Sequence, residues 1–471
     1  MKNLHRLNWL VGACLSACAM ASAQAAPKRP AKAPAPAVSS HEAELMQRLD
    51  QLSGELEKVK AQLAELKQQA AANAAPTSAV VVAPAPAPAP VAQAAAPAAV
   101  PPAINGGDAV ATNAPASEPA TVLTGYGEIA YNNYNRDKSN NQADLRRFVL
   151  GLQHRFDAKT KLVTELEVEH TVSSASDEGE VEVEQAYIER QLSNQWALRA
   201  GLFLMPAGLL NENHEPTAYY GVERNFVETA IIPSTWREGG LQLVGNLDNG
   251  LTIQGGLSTG FNMSKWAFDD SETAESPLGA THQELSNAKA KEPAVFAAVN
   301  WRGVPGLLLG ASWFSGNGTQ ARTVEPGQGL HVTLWDLHAR YMVAGLDLST
   351  VYTRGTIGGT ADINTRNPGV GPDWYPIPKR FDGAYVQAAY KLWAHDDLAL
   401  SPFVRLERFN TRKSFADVGE GLTAPAQPSE QVATLGANLN VGQGLVFKVD
   451  VQRFKQDKDK NRFDLGMGWS F

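Results

Sequence analysis

The sequence predicts an all-β protein: a transmembrane antiparallel β-barrel of about 16 strands, preceded by a short helical coiled coil and a disordered Pro/Ala linker. Three features carry that expectation. In the last ten residues, Phe463, Leu465, Met467, Trp469 and Phe471 fall on one side of an extended chain and Arg462, Asp464, Gly466, Gly468 and Ser470 on the other, which is the two-residue period of a strand. Alternating segments of the same kind recur from Thr121 to the end. Their connections are short and long in turn, as the two rims of a membrane barrel require.

The 471 residues carry a formal net charge of -8. That mild acidity disfavours a nucleic-acid partner, which calls for a basic stripe. Beyond the first two dozen residues no run is long and apolar enough for a membrane helix of about 20 residues. Both cysteines, Cys14 and Cys18, lie in a segment with Lys2 and Arg6, an apolar stretch from Leu7 to Ala21 and the small-residue site Ala21-Ser22-Ala23. Residues 1–23 read as a secretory signal peptide. Its removal leaves no thiol for disulfide or thiolate chemistry. Leu15-Ser16-Ala17-Cys18 leaves a second reading open, a lipobox with Cys18 lipidated and the N-terminus tethered to a membrane.

Residues 24–40 are rich in Pro, Ala and Lys and are expected to be disordered. Over 41–69, Leu45, Leu49, Leu52, Leu56, Val59, Leu63 and Leu66 recur at spacings of 4 and 3. This is a heptad seam, with Leu49, Leu56 and Leu63 at a and the others at d. Self-association is favoured over docking on the chain's own domain, because linkers flank the helix on both sides. Residues 70–120 are mostly Ala, Pro and Val, a composition that tends to a semi-rigid polyproline II spacer. Contact of this arm with peptidoglycan and simple alignment of protomers both remain open.

From residue 121 the strands are expected near 121–132, 144–156, 159–172, 180–191, 195–204, 237–246, 250–261, 293–302, 306–315, 329–342, 345–354, 382–393, 397–409, 429–440, 444–455 and 462–471. Asp157-Ala158, Asp248-Asn249-Gly250 and Ala344-Gly345 mark tight turns on one rim. Long connections near 205–236, 262–292, 355–381 and 410–428 mark the other. Within the strands, alternation separates lipid from lumen. Outward Leu150, Leu166, Leu198, Leu337, Leu406 and Phe447 leave Arg147, Arg155, Lys161, Glu165, Glu167, Glu169, Arg199, Arg340, Arg405 and Lys448 facing in. A charge on the lipid face costs about 2–4 kcal/mol at mid-membrane, so this sorting indicates a wet interior.

The connection Pro206–Trp236 is too long for a passive loop, and Leu209, Leu210, Tyr219, Tyr220, Phe226, Ile231 and Ile232 give it apolar content to pack. Folded inward, it carries Glu212, His214, Glu215, Glu223, Arg224, Glu228 and the adjoining Arg237 to a constriction, where charges act as a filter. The alternative is an extracellular lid or a contact between protomers. No spacing suggests a catalytic group or a metal-ligand set, and no cofactor is implied.

In the order signal peptide, coiled coil, Pro/Ala linker and sixteen-strand domain, with Tyr220-Gly221-Val222-Glu223-Arg224 and Pro233-Ser234-Thr235-Trp236-Arg237-Glu238-Gly239-Gly240 around the third extracellular loop, the chain resembles the phosphate-selective porin O and P family. The similarity spans roughly Thr121 to Phe471. It implies a trimeric channel in the outer membrane of a Gram-negative bacterium, with the third loop folded into each lumen and the N-terminal arm in the periplasm. Small hydrophilic solutes or ions would cross passively in contact with no enzyme chemistry. Members known for phosphate uptake use an arginine ladder and a lysine cluster; Arg147, Arg155, Arg199, Arg224 and Arg237 are the candidates here, with Glu165, Glu167 and Glu169 among them. Ending on Phe471 resembles the signal read by the barrel assembly machinery. A structural role, in which the arm tethers the outer membrane to the cell wall, is the competing reading.

Overall fold

The computed structural model describes Gly54, Lys58 and residues 120–471 apart from 173–178, 321–328, 370–372 and 420–422. The expected signal peptide, coiled coil and linker lie outside the described residues, except that Gly54 and Lys58 are helical and Ala120 opens the first strand. Seventeen strands follow: β1 Ala120–Tyr134, β2 Gln142–Arg155, β3 Thr160–Glu169, β4 Val181–Gln191, β5 Trp196–Leu204, β6 Arg237–Asn246, β7 Leu251–Ser258, β8 Ala294–Trp301, β9 Leu307–Asn317, β10 His331–Val343, β11 Leu346–Gly358, β12 Arg380–Tyr390, β13 Trp393–His395, β14 Leu398–Ser414, β15 Glu430–Val441, β16 Leu445–Phe454 and β17 Arg462–Ser470. Sixteen of them form the wall. The remaining one, β13, is a three-residue tab that pairs only with the start of β14.

Each wall strand pairs antiparallel with its neighbours in sequence, β12 joining β14 directly. The sheet closes where β17 returns to β1, in a register running from Tyr126↔Ser470 to Tyr134↔Arg462. Closure matters because an unpaired backbone N–H or C=O in hydrocarbon costs several kcal/mol. The tight turns gather on the rim that also holds Ala120 and Phe471. Ala344 and Gly345 both take positive φ, 49° and 84°, the geometry of a two-residue hairpin whose twist matches its strands. On the opposite rim the long connections run 205–236, 259–293, 359–379 and 415–429. There β11 and β14 extend further than their alternation suggests, β11 to Gly358 through pairing with His331 of β10 and β14 to Ser414 through pairing with Arg380 of β12.

The two faces are sorted as hydrocarbon and water demand. Leu337 and Leu406 are each 54% exposed, while Arg405 is 2% and Glu407 4%. Three register shifts depart from simple alternation, one of them at the start of β12 between Arg380 and Asp382. Between Glu128 and Ile129 the register skips Arg146, and between Glu165 and Leu166 it skips Glu184. An extra residue in one strand re-aims its side chain, so Arg146 joins Arg147, and Glu184 joins Gln185, on the inner side.

The main apolar cluster is also internal. Trp236 stacks on Phe261 at 5.2 Å and meets the Phe314 edge at 5.0 Å. With Phe203, Phe296 and Ile231, these rings pack the long loops against the inner wall of β5 to β10.

Leu406, near the middle of β14, tests the lipid face. Leu406→Arg is expected to cost about 2–4 kcal/mol and Leu406→Ala much less, measured by urea unfolding in lipid vesicles with heat-modifiable gel mobility as the folded signal.

Candidate functional site: the loop inside the lumen

The connection 205–236 leaves β5 and crosses the interior. Its stem is locked by Asn211, whose Nδ2 donates to the Met205 and Trp236 carbonyls at 2.7 and 2.8 Å and whose Oδ1 accepts from Trp236 N at 2.7 Å. Beyond the stem its partners lie on every side of the wall. Gly208 N donates to Asp336 on β10 at 3.1 Å, and Gln254 on β7 donates to Glu212 at 3.2 Å. Arg147 on β2 donates to the His214 carbonyl at 2.7 Å, and Tyr219 donates to Glu128 on β1 at 2.7 Å. Val222 N donates to Asp450 on β16, and Phe226 N to Glu407 on β14, both at 2.7 Å. Strands this far apart around a cylinder are reached together only from its middle.

The returning half is organised by Glu228, at the start of the π-helical turn Val227–Ile231. Its carboxylate accepts from Leu209 N at 2.5 Å, Leu210 N at 2.8 Å, Asn225 Nδ2 at 2.7 Å and Tyr385 Oη of β12 at 3.1 Å. Burial pushes its carboxyl above the ordinary range, although these donors act the other way. Two halves of one loop are thus tied together and to the wall through one side chain.

Charge at the loop is mostly matched. Arg146 grips Glu223 with two guanidinium nitrogens, one at 2.5 Å to Oε2. Arg462 stands 3.5 Å from the same carboxylate and 3.0 Å from Asp464. Burial would raise the Glu223 carboxyl, but Arg146, then Arg462, hold it well below the usual range. Arg147 pairs with Glu128 at 2.8 Å and Arg405 with Glu407 at 2.7 Å. His214 Nε2 lies 2.8 Å from Tyr126 Oη and 3.3 Å from Glu184, and burial lowers its pKa despite that carboxylate. Burial likewise raises the Glu212 and Glu215 carboxyls. Lys448 differs: its Nζ sits 3.5 Å over the Tyr219 ring, a cation–π contact, and makes no hydrogen bond.

The other residues singled out by the sequence lie elsewhere on the wall. Arg340 pairs with Asp347, which also accepts from Tyr220. Arg199 and Lys161 share Glu189 at 2.7 and 3.2 Å. Arg155, Lys161 and Glu189 line a cavity of about 510 Å³ at the short-turn rim. Glu165 accepts from Gln185 at 2.6 Å, and Glu167 is buried opposite Glu182. Arg224 donates to Ser234 and Thr235 inside the loop. Arg237 is not brought to this cluster. At the top of β6 it donates to the Thr235 carbonyl and is buried between Glu182 and Glu284. Phe471 is 62% exposed, its backbone paired with Gly125. Glu228 was expected at the constriction, whereas Arg146 and Glu128 escaped the sequence reading. For Arg146 a signal existed, because two consecutive arginines in a membrane strand cannot both face water without a bulge.

A closed wall of sixteen membrane strands with a loop held inside it defines an outer-membrane channel. Residues 124–232 match the family described as Phosphate-selective porin O and P. It is similar, at 28% identity over 358 residues, to an uncharacterized protein of Aquifex aeolicus, the alignment covering 74% of this chain and 79% of that protein. In fold it is similar to Salmonella typhi OmpF in complex with daunomycin, with a TM-score of 0.50 and 12% identity, over 76% of this chain and 98% of that one. It is also similar to the outer membrane channel DcaP of Acinetobacter baumannii, with a TM-score of 0.47 and 14% identity, over 75% and 97% of the two chains.

Arg146→Met tests the docking of the loop. It leaves Glu223 without its bidentate partner, and loss of one member of a buried pair costs about 3–5 kcal/mol. The pair is 22% and 16% exposed, so a loss toward the lower figure is expected, seen as faster proteolysis within 205–236 and a noisier open channel. Unchanged proteolysis would show that the pair does not hold the loop.

Proposed function

We infer that the chain is a passive diffusion channel for small hydrophilic solutes and ions, with the loop 205–236 as its constriction. The observation that carries this is the loop's contact with β1, β2, β7, β10, β12, β14 and β16 at once. Such a loop narrows the lumen at one level, where the field of nearby charges is strongest. The polar wall supplies the path, and no step of transport requires a catalytic group.

Phosphate is read here as one transported anion rather than a tightly held ligand. Arg146, Arg147, Arg405 and Arg462 are each spent on a carboxylate, which leaves Lys448 and Arg224 to meet an anion at the loop. The pore-lining roles of Arg155, Lys161, Glu165, Glu167, Arg199 and Arg340, and the constriction roles of Glu212, His214, Glu215, Glu223 and Arg224, belong to this proposal. So do assembly as a homotrimer, recognition of Phe471 by the assembly machinery and an N-terminal arm reaching through the periplasm toward peptidoglycan.

Planar-bilayer recordings in a potassium chloride gradient check the reading. Stable conductance with a small reversal potential, and chloride current only weakly reduced by added phosphate, is the expected result. Strong block by phosphate would assign a tight anion site instead, and a silent bilayer would leave the barrel as an anchor for the arm.

A further inference from the structure

Where the first half of the loop 205–236 meets the wall, side chains from three elements close on one another. Tyr126 Oη of β1 lies 2.8 Å from Glu184 Oε2 of β4 and 2.8 Å from Nε2 of the loop's His214. His214 Nε2 also stands 3.3 Å from Glu184 Oε1. The three residues are 3%, 0% and 4% exposed, so they must satisfy one another. Glu184 takes part because the register shift between Glu165 and Leu166 turns it inward beside Gln185.

The hydrogens in this group can be counted. His214 Nδ1 faces the Asn211 carbonyl at 3.0 Å, and a carbonyl only accepts, so Nδ1 carries a hydrogen. In a neutral ring Nε2 is then an acceptor, and an ionised Glu184 is another. Tyr126 has one hydroxyl hydrogen to give, which leaves one of its two 2.8 Å contacts without a donor. A second proton removes the conflict from either end. Placed on Nε2, it lets the imidazolium donate to Tyr126 Oη, which donates on to Glu184. Placed on Glu184, it lets the carboxyl donate to Oη, which donates on to Nε2.

The groups around the trio do not replace that proton. Glu167 of β3 is hydrogen-bonded to the Glu184 carboxyl from its other side, which two carboxyls achieve only with a proton between them. From β2 the Arg147 guanidinium lies 5.2 Å over the Tyr126 ring and gives Nε to Glu128 of β1 and Nη2 to the His214 carbonyl. On β3, Glu165 accepts from Gln185 and Glu169 stands opposite Arg147, while Glu182 of β4 is taken by Arg237. The loop itself brings Glu215 and Arg224. Among the described residues none of these donates to Tyr126 Oη or His214 Nε2.

We infer that His214, Tyr126 and Glu184 bind one proton between them, and that this proton clasps the loop to β1 and β4. For its effect on current the inference rests on the channel reading above; the clasp itself does not. A docked loop needs the proton, whereas a released loop leaves His214 and Glu184 apart and free to lose it. Docking is therefore complete below the titration of the site and weakens as pH rises through it.

The test uses the full-length protein in lipid vesicles, treated with protease at about pH 6 and about pH 9, both below the titration of tyrosine itself near 10. Cleavage within 205–236, taken relative to an unfolded peptide of the same sequence at each pH, is expected to rise about tenfold, the scale of losing a hydrogen bond to a charged group. In E184Q the amide gives Tyr126 a permanent N–H, so cleavage should stay slow at both values. In Y126F the bridging hydroxyl is gone, so cleavage should be fast at both. Heat-modifiable mobility shows that each variant folds, and if one does not, loss of the pH step in the other carries the comparison. A wild-type rate that does not change with pH, or a rise of the same size in either variant, overturns this proposal alone. Cleavage that steps with pH in a barrel that passes no current keeps the clasp and overturns the channel reading.

Discussion

Inside a bilayer a backbone N–H or C=O can be satisfied only by another part of the chain. Every other property of this molecule follows from how that constraint is met. Pairing of β17 with β1 removes the last free edges, and closure creates an inside that lipid cannot reach. Alternation then divides each strand, so that Leu406 faces hydrocarbon while Arg405 and Glu407 on either side of it do not. Charges that would be prohibitive on one face become ordinary on the other.

The interior created by closure is wide, and the chain uses thirty-two residues of connection, 205–236, to occupy it. A loop in such a position has its own unsatisfied backbone. Wall carboxylates supply the acceptors: Asp336 for Gly208 N, Glu407 for Phe226 N and Asp450 for Val222 N. Glu228 does the same from within the loop for Leu209 and Leu210. The polar wall therefore both wets the lumen and fastens the element that narrows it.

This division explains how much was legible in the sequence. Strand positions, the tight turns and the inward face of Arg147, Arg405, Lys448 and Glu167 follow from a local period of two and from turn residues, and both survive in one dimension. An inward course for 206–236 could be expected from its length and its apolar residues. The partners could not. Tyr219 and Glu128 are 91 residues apart, and Val222 and Asp450 are 228 apart, so no local pattern joins them. The bulges hid Arg146 and Glu184 by shifting the period midway through a strand. Arg237 is a different case. It adjoins the loop in sequence, but its guanidinium is taken by Glu182 of β4 and by Glu284, neither of them near it in sequence.

A further consequence concerns what a count of lumenal charges can say about selectivity. An arginine on the inner wall is only a filter for anions if its charge is not already cancelled. Arg147, Arg405 and Arg462 each lie within 3.0 Å of a carboxylate oxygen on the same or a neighbouring strand. A carboxylate fastening a loop N–H is met by a dipole and not by a cation. The number of inward arginines is therefore no measure of the positive field in this lumen, because the carboxylate beside each one enters the sum with it.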